Sequence, residues 1–217
     1  MCERAEYITV KGEGNGLYTE KKSRFIADVF PVQSEEDALS KLAAVKKKYP
    51  DARHHVYAYI IGKNNIFRYS DDSEPSGTAG MPVLDTMRKS GIVDTLIVVT
   101  RYFGGTLLGT GGLVHAYSAA AKQGLENAQV VKRILCNVLS VSTDYTFSGK
   151  IAHLAEQNGY IIEDTIYADN VTIVFLTTLE ETQRIIKELT ELTAAKAEIT
   201  VTGQKYVDLP TNKTGGN

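Results

Sequence analysis

Residues 92–117 run from an apolar stretch through a glycine-rich segment directly into a helical pattern. The apolar part, IVDTLIVVT, is rich in β-branched residues, which is typical of a strand buried on both faces of a sheet. Five glycines follow between positions 104 and 112, and then LVHAYSAAAKQGLENA, an alanine-rich helical pattern. A buried strand, a sharp turn and a packed helix in succession predict mixed α and β structure, and we assign this half of the chain to the α+β class.

The glycine-rich segment can be interpreted in two ways. Arg101 ends the strand, and its planar guanidinium suits phosphate or carboxylate groups. Gly109 or Thr110 would cap the following helix, whose free N–H groups favour an anion. No lysine follows the glycines, which excludes a P-loop, and the spacing is not G-x-G-x-x-G. The anion-binding residues on this interpretation are Arg101, Gly104, Gly105, Gly109, Thr110 and Gly111. The alternative is that the glycines serve only a tight turn and close helix packing.

Further elements around this segment follow from local patterns. SEEDALSKLAAVKKKYP (34–50) predicts a helix that Ser34 caps and Pro50 ends. SRFIADVFPV predicts a strand before it, and HHVYAYIIG and NIFRYS predict a hairpin around GKNN. DDSEPSGTAGMP (71–82) reads as a loop, followed by a helix at about 81–90 that Gly91 ends.

The second half has a simpler pattern. From about residue 134 the elements alternate as β-α-β-β-α-β, which is the ferredoxin-like order. We therefore expect one domain at 1–130, a ferredoxin-like domain at 131–206 and a disordered tail at 207–217.

Charge and cysteine content exclude several classes of protein. The net charge is −2; residues 1–130 carry 16 basic against 15 acidic side chains, and residues 131–217 carry 8 against 11. Neither half is a strongly basic nucleic-acid binder, so an RNA partner would need a local patch. Cys2 and Cys136 form no disulfide framework or zinc motif. Without an apolar run that could span a membrane, or a signal-peptide pattern, we expect a cytoplasmic protein with no membrane partner.

Three acidic residues cluster in the 71–82 loop. Asp71, Asp72 and Glu74 could hold a metal ion or supply a general acid or base. The alternative is that they stabilise turns by accepting hydrogen bonds from nearby backbone. We predict no metal site firmly, and no catalytic or cofactor motif is present, so no cofactor is expected.

Basic and aromatic residues suggest a second group of contacts. In EKKSRF, Lys21, Lys22 and Arg24 precede a phenylalanine, and Arg53 precedes a histidine pair. His54 and His55 begin a strand and point to opposite faces, so His55 shares a face with Tyr57 that could stack on bases. Lysines that guard a solvated strand edge are the alternative for the basic run.

Four motifs in order resemble the YigZ/IMPACT family: KKSRF, ARHHVYAY, DDSEPSGTAGMP and GIVDTLIVVTRYFGGTLLGTGGLVHAY. The family's acidic loop usually has glycine where this chain has Ser73. The resemblance covers nearly all of residues 1–206 and identifies a bacterial YigZ-type member. The positions that match the family's motifs are Arg24, His54, Asp72, Glu74, Arg101, Gly104, Gly105 and Gly109.

The resemblance implies a first domain similar to domain 2 of ribosomal protein S5 and a second similar to the last domain of elongation factor G. Eukaryotic IMPACT relatives regulate translation under amino-acid starvation, although their partner does not carry over to this chain. We therefore expect a translation-associated protein that binds RNA, the ribosome or translation factors through its first domain, without DNA sequence specificity. The alternatives are a protein-interaction module that mimics translation-factor surfaces and an enzyme acting on a small phosphorylated ligand.

Overall fold

The structure is a computed structural model that describes residues 4–62 and 65–211. Its contacts divide the chain into two units: Tyr7–Lys132 with the described residues from Asp208 onward, and Arg133–Val207 with the described residues 4–6. The residues before Tyr7 therefore group with the later part of the chain, and those after Val207 group with the earlier part, whereas the sequence predicts contiguous domains at 1–130 and 131–206. We call these the first and the second unit.

A five-stranded sheet organises the first unit. The strands follow the order β2 (Gly14–Glu20), β3 (Ser23–Pro31), β6 (Thr95–Tyr102), β4 (His54–Ile61) and β5 (Ile66–Ser70). Every pairing in it is antiparallel. β4 and β5 form the expected hairpin, although residues 63 and 64 of its GKNN turn lie outside the described residues.

Helices cover both faces of this sheet. α1 (Glu35–Lys48) packs on one face through Ala38, Leu42 and Val45. α2 (Gly80–Lys89) and α3 (Gly109–Asn127) pack on the other. β6 lies in the middle and is buried along almost its whole length, which confirms the prediction that this strand is covered on both faces. The cap of α1 is also confirmed, because Ser34 Oγ accepts the backbone N–H of Asp37 at 3.1 Å.

The second unit has the β-α-β-β-α-β order expected from the sequence. Its elements are β7 (Val130–Thr143), α4 (Tyr145–Asn158), β8 (Ile161–Tyr167), β9 (Val171–Thr178), α5 (Thr182–Leu192) and β10 (Glu198–Pro210). β9 pairs with β7 and β8, β7 also pairs with β10, and the strand order of this second sheet is β1 (Glu6–Val10), β7, β9, β8. Leu139 of β7, Ile151 of α4 and Phe175 of β9 are fully buried in one hydrophobic core.

The expected disordered tail is wrong in part. The polar composition of residues 207–217 predicts a disordered tail, but β10 continues to Pro210. Residues 212–217 lie outside the described residues. The α+β class is confirmed: the described residues form five helices and two sheets. None of the helices in 4–62 and 65–211 is both long and apolar enough to cross a membrane.

Candidate nucleic-acid interface

The strand register brings the sequence motifs to one end of the first unit's sheet. Arg24 lies opposite Tyr102, and His54 lies opposite Arg101, so the start of β3, the start of β4 and the end of β6 meet. The β2–β3 turn and the loop that follows β5 close the same end. We call this region the motif end of the sheet. Motifs that are more than 80 residues apart in sequence therefore form one local structure.

Arg101 belongs to the interior of the motif end. Its side chain is only 7% exposed, and Nη1 donates to Glu74 Oε1 at 2.6 Å. The Tyr117 hydroxyl of α3 donates to the same oxygen at 2.8 Å. Burial and then the charge of Glu74 raise the pKa of the Tyr117 phenol. The guanidinium also lies over the rings of Phe25 and Phe103, at 5.4 and 5.7 Å from their centroids. The sequence interpretation of Arg101 as a phosphate contact is corrected here, since its charge is neutralised by Glu74 and shielded from solvent.

Each carboxylate of the acidic loop has its own structural partner. Asp71 accepts backbone N–H groups from Gly77, Ala79 and Gly80 at 2.8–3.0 Å, and so it caps α2. Asp72 Oδ2 accepts the backbone N–H of His55 at 2.6 Å.

No three His, Cys, Asp or Glu side chains within the described ranges converge on a point suited to a metal ion. The geometry therefore favours the turn-stabilising interpretation of this loop. Ser73, which stands where the family usually has glycine, has a φ of +71°, a backbone region that favours glycine.

The expected stacking face of His55 and Tyr57 is covered. His55 is buried, and its Nε2 donates to the carbonyl of Tyr49 at 3.0 Å. Tyr57 is half-buried and lies parallel to Tyr59, with 6.2 Å between ring centroids, in the core beneath α1. The residues that follow α1 cover His55 on this face, so the geometry favours a structural role for His55 over base stacking. His54 lies on the opposite face and donates through Nδ1 to the carbonyl of Asp72 at 2.8 Å.

The basic residues form the exposed layer of the motif end. Lys21, Lys22, Arg24 and Arg53 are all exposed. Lys21 and Lys22 are the two residues of the β2–β3 turn, with φ of +43° and +64°. Two positive φ angles are characteristic of a type I′ turn, which favours Asn-Gly over lysine. Within the described residues neither lysine forms an ion pair. Arg24 lies over the ring of Tyr102 at 5.4 Å.

The glycine-rich segment is fixed to this basic turn. A Cβ at Gly104 would overlap the backbone of Lys22 and Ser23. The backbone N–H of Gly104 donates to Ser23 Oγ at 3.1 Å. Close packing is therefore why residue 104 is glycine. Gly105 and Gly109 have φ of +87° and +70°, which lets the chain turn into α3.

The start of α3 differs from the expected capping. Leu108, rather than Gly109 or Thr110, is the N-cap residue, and it makes no side-chain cap hydrogen bond. Gly109, Thr110 and Gly111 form an exposed first turn, and no atom lies within 4 Å of a Cβ built on Gly111. The first-turn N–H groups therefore belong to exposed residues and have no side-chain cap.

Sequence reasoning missed two apolar side chains in this segment. Phe103 is 56% exposed and Leu107 is 83% exposed. The available signal was the position of Phe103 directly after the end of a buried strand, where its side chain passes beyond the sheet. Cations, an exposed aromatic ring and free helical N–H groups together form a surface that suits a polyanion with apolar faces.

Comparisons with known proteins cover both units. Residues 21–125 match the Impact N-terminal domain, and residues 141–196 match a domain of unknown function, DUF1949. The chain is 38% identical to IMPACT family member YvyE of Bacillus subtilis over 95% of both chains. It is 37% identical to IMPACT family member YigZ of Escherichia coli, over 68% of this chain and 74% of that protein.

The eukaryotic relative with which we compare the chain matches part of it. Protein IMPACT of Oryctolagus cuniculus is 36% identical over 47% of this chain and 33% of its own length. A crystal structure of a hypothetical protein superposes with a TM-score of 0.59 and 28% identity, covering 92% of this chain and 98% of that one.

Proposed function

This chain belongs to the IMPACT family, and from that premise we propose that it is a translation-related regulatory protein that binds RNA, including ribosomal RNA, through the exposed layer of its first unit. Contact with ribosomes would place it in the cytoplasm. The binding groups are Lys21, Lys22, Arg24 and Arg53, with the free N–H groups at the start of α3. Because the overall charge is −2, this local layer has to supply the attraction to phosphate.

The lysine turn is the observation that carries the proposal. A non-glycine residue in the left-handed region costs roughly 1–2 kcal/mol, and this turn contains two such residues in succession. Strained backbone of this kind is concentrated at functional sites. The two lysine side chains are exposed and have no ion-pair partner in the described structure, and the backbone of Lys22 packs against Gly104.

The two structural resemblances expected from the sequence are consistent with a translation-related role. We infer that the first unit resembles domain 2 of ribosomal protein S5 and that the second resembles the last domain of elongation factor G. Both templates belong to the translation apparatus. The β-α-β-β-α-β order of the second unit is compatible with this inference.

The test is co-sedimentation of the full chain with purified ribosomes across a salt series, repeated after nuclease treatment. RNA binding predicts that the logarithm of the binding constant falls linearly with the logarithm of the salt concentration, by about 0.7 per phosphate contact on single-stranded RNA. Failure to associate at low salt would overturn the proposal. Association that survives nuclease and is insensitive to salt would identify a protein-interaction module instead, with Leu107 as its exposed apolar contact.

A further inference from the structure

We propose that the RNA segment bound at the motif end is single-stranded and that Phe103 stacks on one of its unpaired bases. The inference rests on the proposed function and specifies its ligand. Phe103 is the exposed aromatic side chain within the glycine-rich segment, and it immediately precedes the glycine that packs on the lysine turn. A ring in this position lies next to the groups that would bind the flanking phosphates.

The ring is held in place from the protein side. The Arg101 guanidinium lies 5.7 Å from its centroid and is itself fixed by the ion pair with Glu74. Gly104, the next residue, cannot shift without displacing the turn backbone. Phe103 is therefore attached to a rigid support while more than half of its surface remains open. Little conformational entropy would be lost when a base covers it.

Stacking on Phe103 selects for single strands. In an A-form duplex the faces of the bases are already stacked on one another, and the protein meets phosphates and 2′-hydroxyls in the grooves. An unpaired base has a free π-face, which any aromatic side chain can cover. A surface that offered only cations would bind both forms, whereas an exposed ring beside them adds affinity for the unpaired form alone.

A second exposed phenylalanine provides the matched control. Phe67 on β5 is 44% exposed, and the Arg88 guanidinium lies 4.4 Å from its ring centroid. Arg88 and the neighbouring Arg68 each have a carboxylate within 3.9 Å, from Asp85 and Glu35. The cations near Phe67 are therefore partly neutralised, and the ring lies on the edge strand away from the lysine turn. Removing this ring should not change RNA binding.

The experiment measures the affinity of the full chain for three fluorescently labelled RNAs by anisotropy. They are an oligouridylate, the same strand with abasic ribose positions, and an A-form duplex of the same length. Phe103→Ala should weaken binding of the oligouridylate by about 5- to 150-fold, because stacking contributes about 1–3 kcal/mol per base. It should leave binding of the abasic strand and of the duplex unchanged. Phe103→Tyr should retain the affinity, and Phe67→Ala should behave as wild type.

Two results separate this inference from the proposal on which it rests. If the wild-type chain binds RNA with a salt dependence but Phe103→Ala has no effect on the oligouridylate, only the stacking inference is overturned. Preference of the wild type for the duplex would overturn it equally. If no RNA binds at low salt, both fail. Phe103 is exposed, so the variant is expected to fold normally, and its far-ultraviolet circular dichroism serves as the check.

Discussion

Replacing the lysine turn by Asn-Gly should make the protein more stable and a weaker RNA binder. Lys21 and Lys22 occupy positive φ values of +43° and +64°, where Asn-Gly is the preferred sequence of a type I′ turn. Relief of two left-handed residues would gain roughly 1–2 kcal/mol each, offset by up to about 1 kcal/mol for the additional freedom of glycine in the unfolded chain. We expect Lys21→Asn with Lys22→Gly to raise the free energy of unfolding by about 1–3 kcal/mol.

The same exchange removes two positive charges from the proposed interface. Each phosphate contact on a single strand adds about 0.7 to the slope of log binding constant against log salt concentration. This corresponds to about five-fold in affinity at 0.1 M salt relative to 1 M, and about 25-fold for two contacts. The packing of Gly104 involves the turn backbone, so it survives the change of side chains. Urea unfolding followed by circular dichroism reports the stability, and anisotropy with an oligouridylate reports the affinity.

A variant that is less stable than wild type would refute the argument from backbone strain. A variant that is more stable but binds RNA as tightly as wild type would show that the turn is not part of the interface. Lys46→Gln with Lys47→Gln is the matched control, since it removes two exposed lysines at the end of α1. It should leave RNA affinity within a factor of about two.

The remaining predictions concern the buried contacts and the backbone of the motif end. Arg101→Leu should lower the free energy of unfolding by about 3–5 kcal/mol in urea titrations, because it leaves the Glu74 carboxylate buried without its cation; a loss below about 1 kcal/mol would contradict this. Burial raises the pKa of Tyr117 in the folded state above its ordinary value of 10.0. The contribution of the protonated phenol to the free energy of unfolding is therefore fully present below pH 10.0 and is lost as the pH rises beyond it. Wild type should therefore lose about 1.4 kcal/mol per pH unit more than Tyr117→Phe above about pH 10, as measured by urea unfolding at stepped pH, and equal slopes would refute it. Gly104→Ala should cost about 1–3 kcal/mol in thermal unfolding, since its Cβ overlaps backbone of the β2–β3 turn. Ser73→Gly should instead stabilise by about 0.5–1 kcal/mol in the same assay, because φ at this position is +71°; destabilisation would mean that the serine side chain contributes more than its strain costs.

Local patterns predicted the elements whose determinants are local. Ser34 caps α1 through a residue three positions away, and the β-α-β-β-α-β order follows from the period of the apolar residues in each element. β1 and β2 were not predicted. β2 contains two glycines, Gly14 and Gly16, whose positions lie against the backbone of α3, so its sequence lacks the usual strand pattern.

The chemistry of the site depended on contacts that are distant in sequence. An arginine at the end of a strand has the same local sequence whether it faces a phosphate or a buried carboxylate, and Glu74, 27 residues earlier, decides the outcome for Arg101. Alternation correctly placed His55 and Tyr57 on one face of β4, but it could not indicate that α1 covers this face. The exposure of Lys21 and Lys22 depends on no such distant contact, because the two residues of a tight hairpin turn are exposed whatever packs on the faces of the sheet.

The salt dependence of RNA binding tests the central claim most directly. The slope of log binding constant against log salt concentration should be measured for the wild type, for Lys21→Gln with Lys22→Gln, and for Lys46→Gln with Lys47→Gln, on the same oligouridylate. If the lysine turn contacts phosphate, the turn variant should have a slope shallower by about 1.4, and the α1 variant should match the wild type. Three equal slopes, or a change confined to the α1 variant, would contradict the assignment of RNA binding to the motif end.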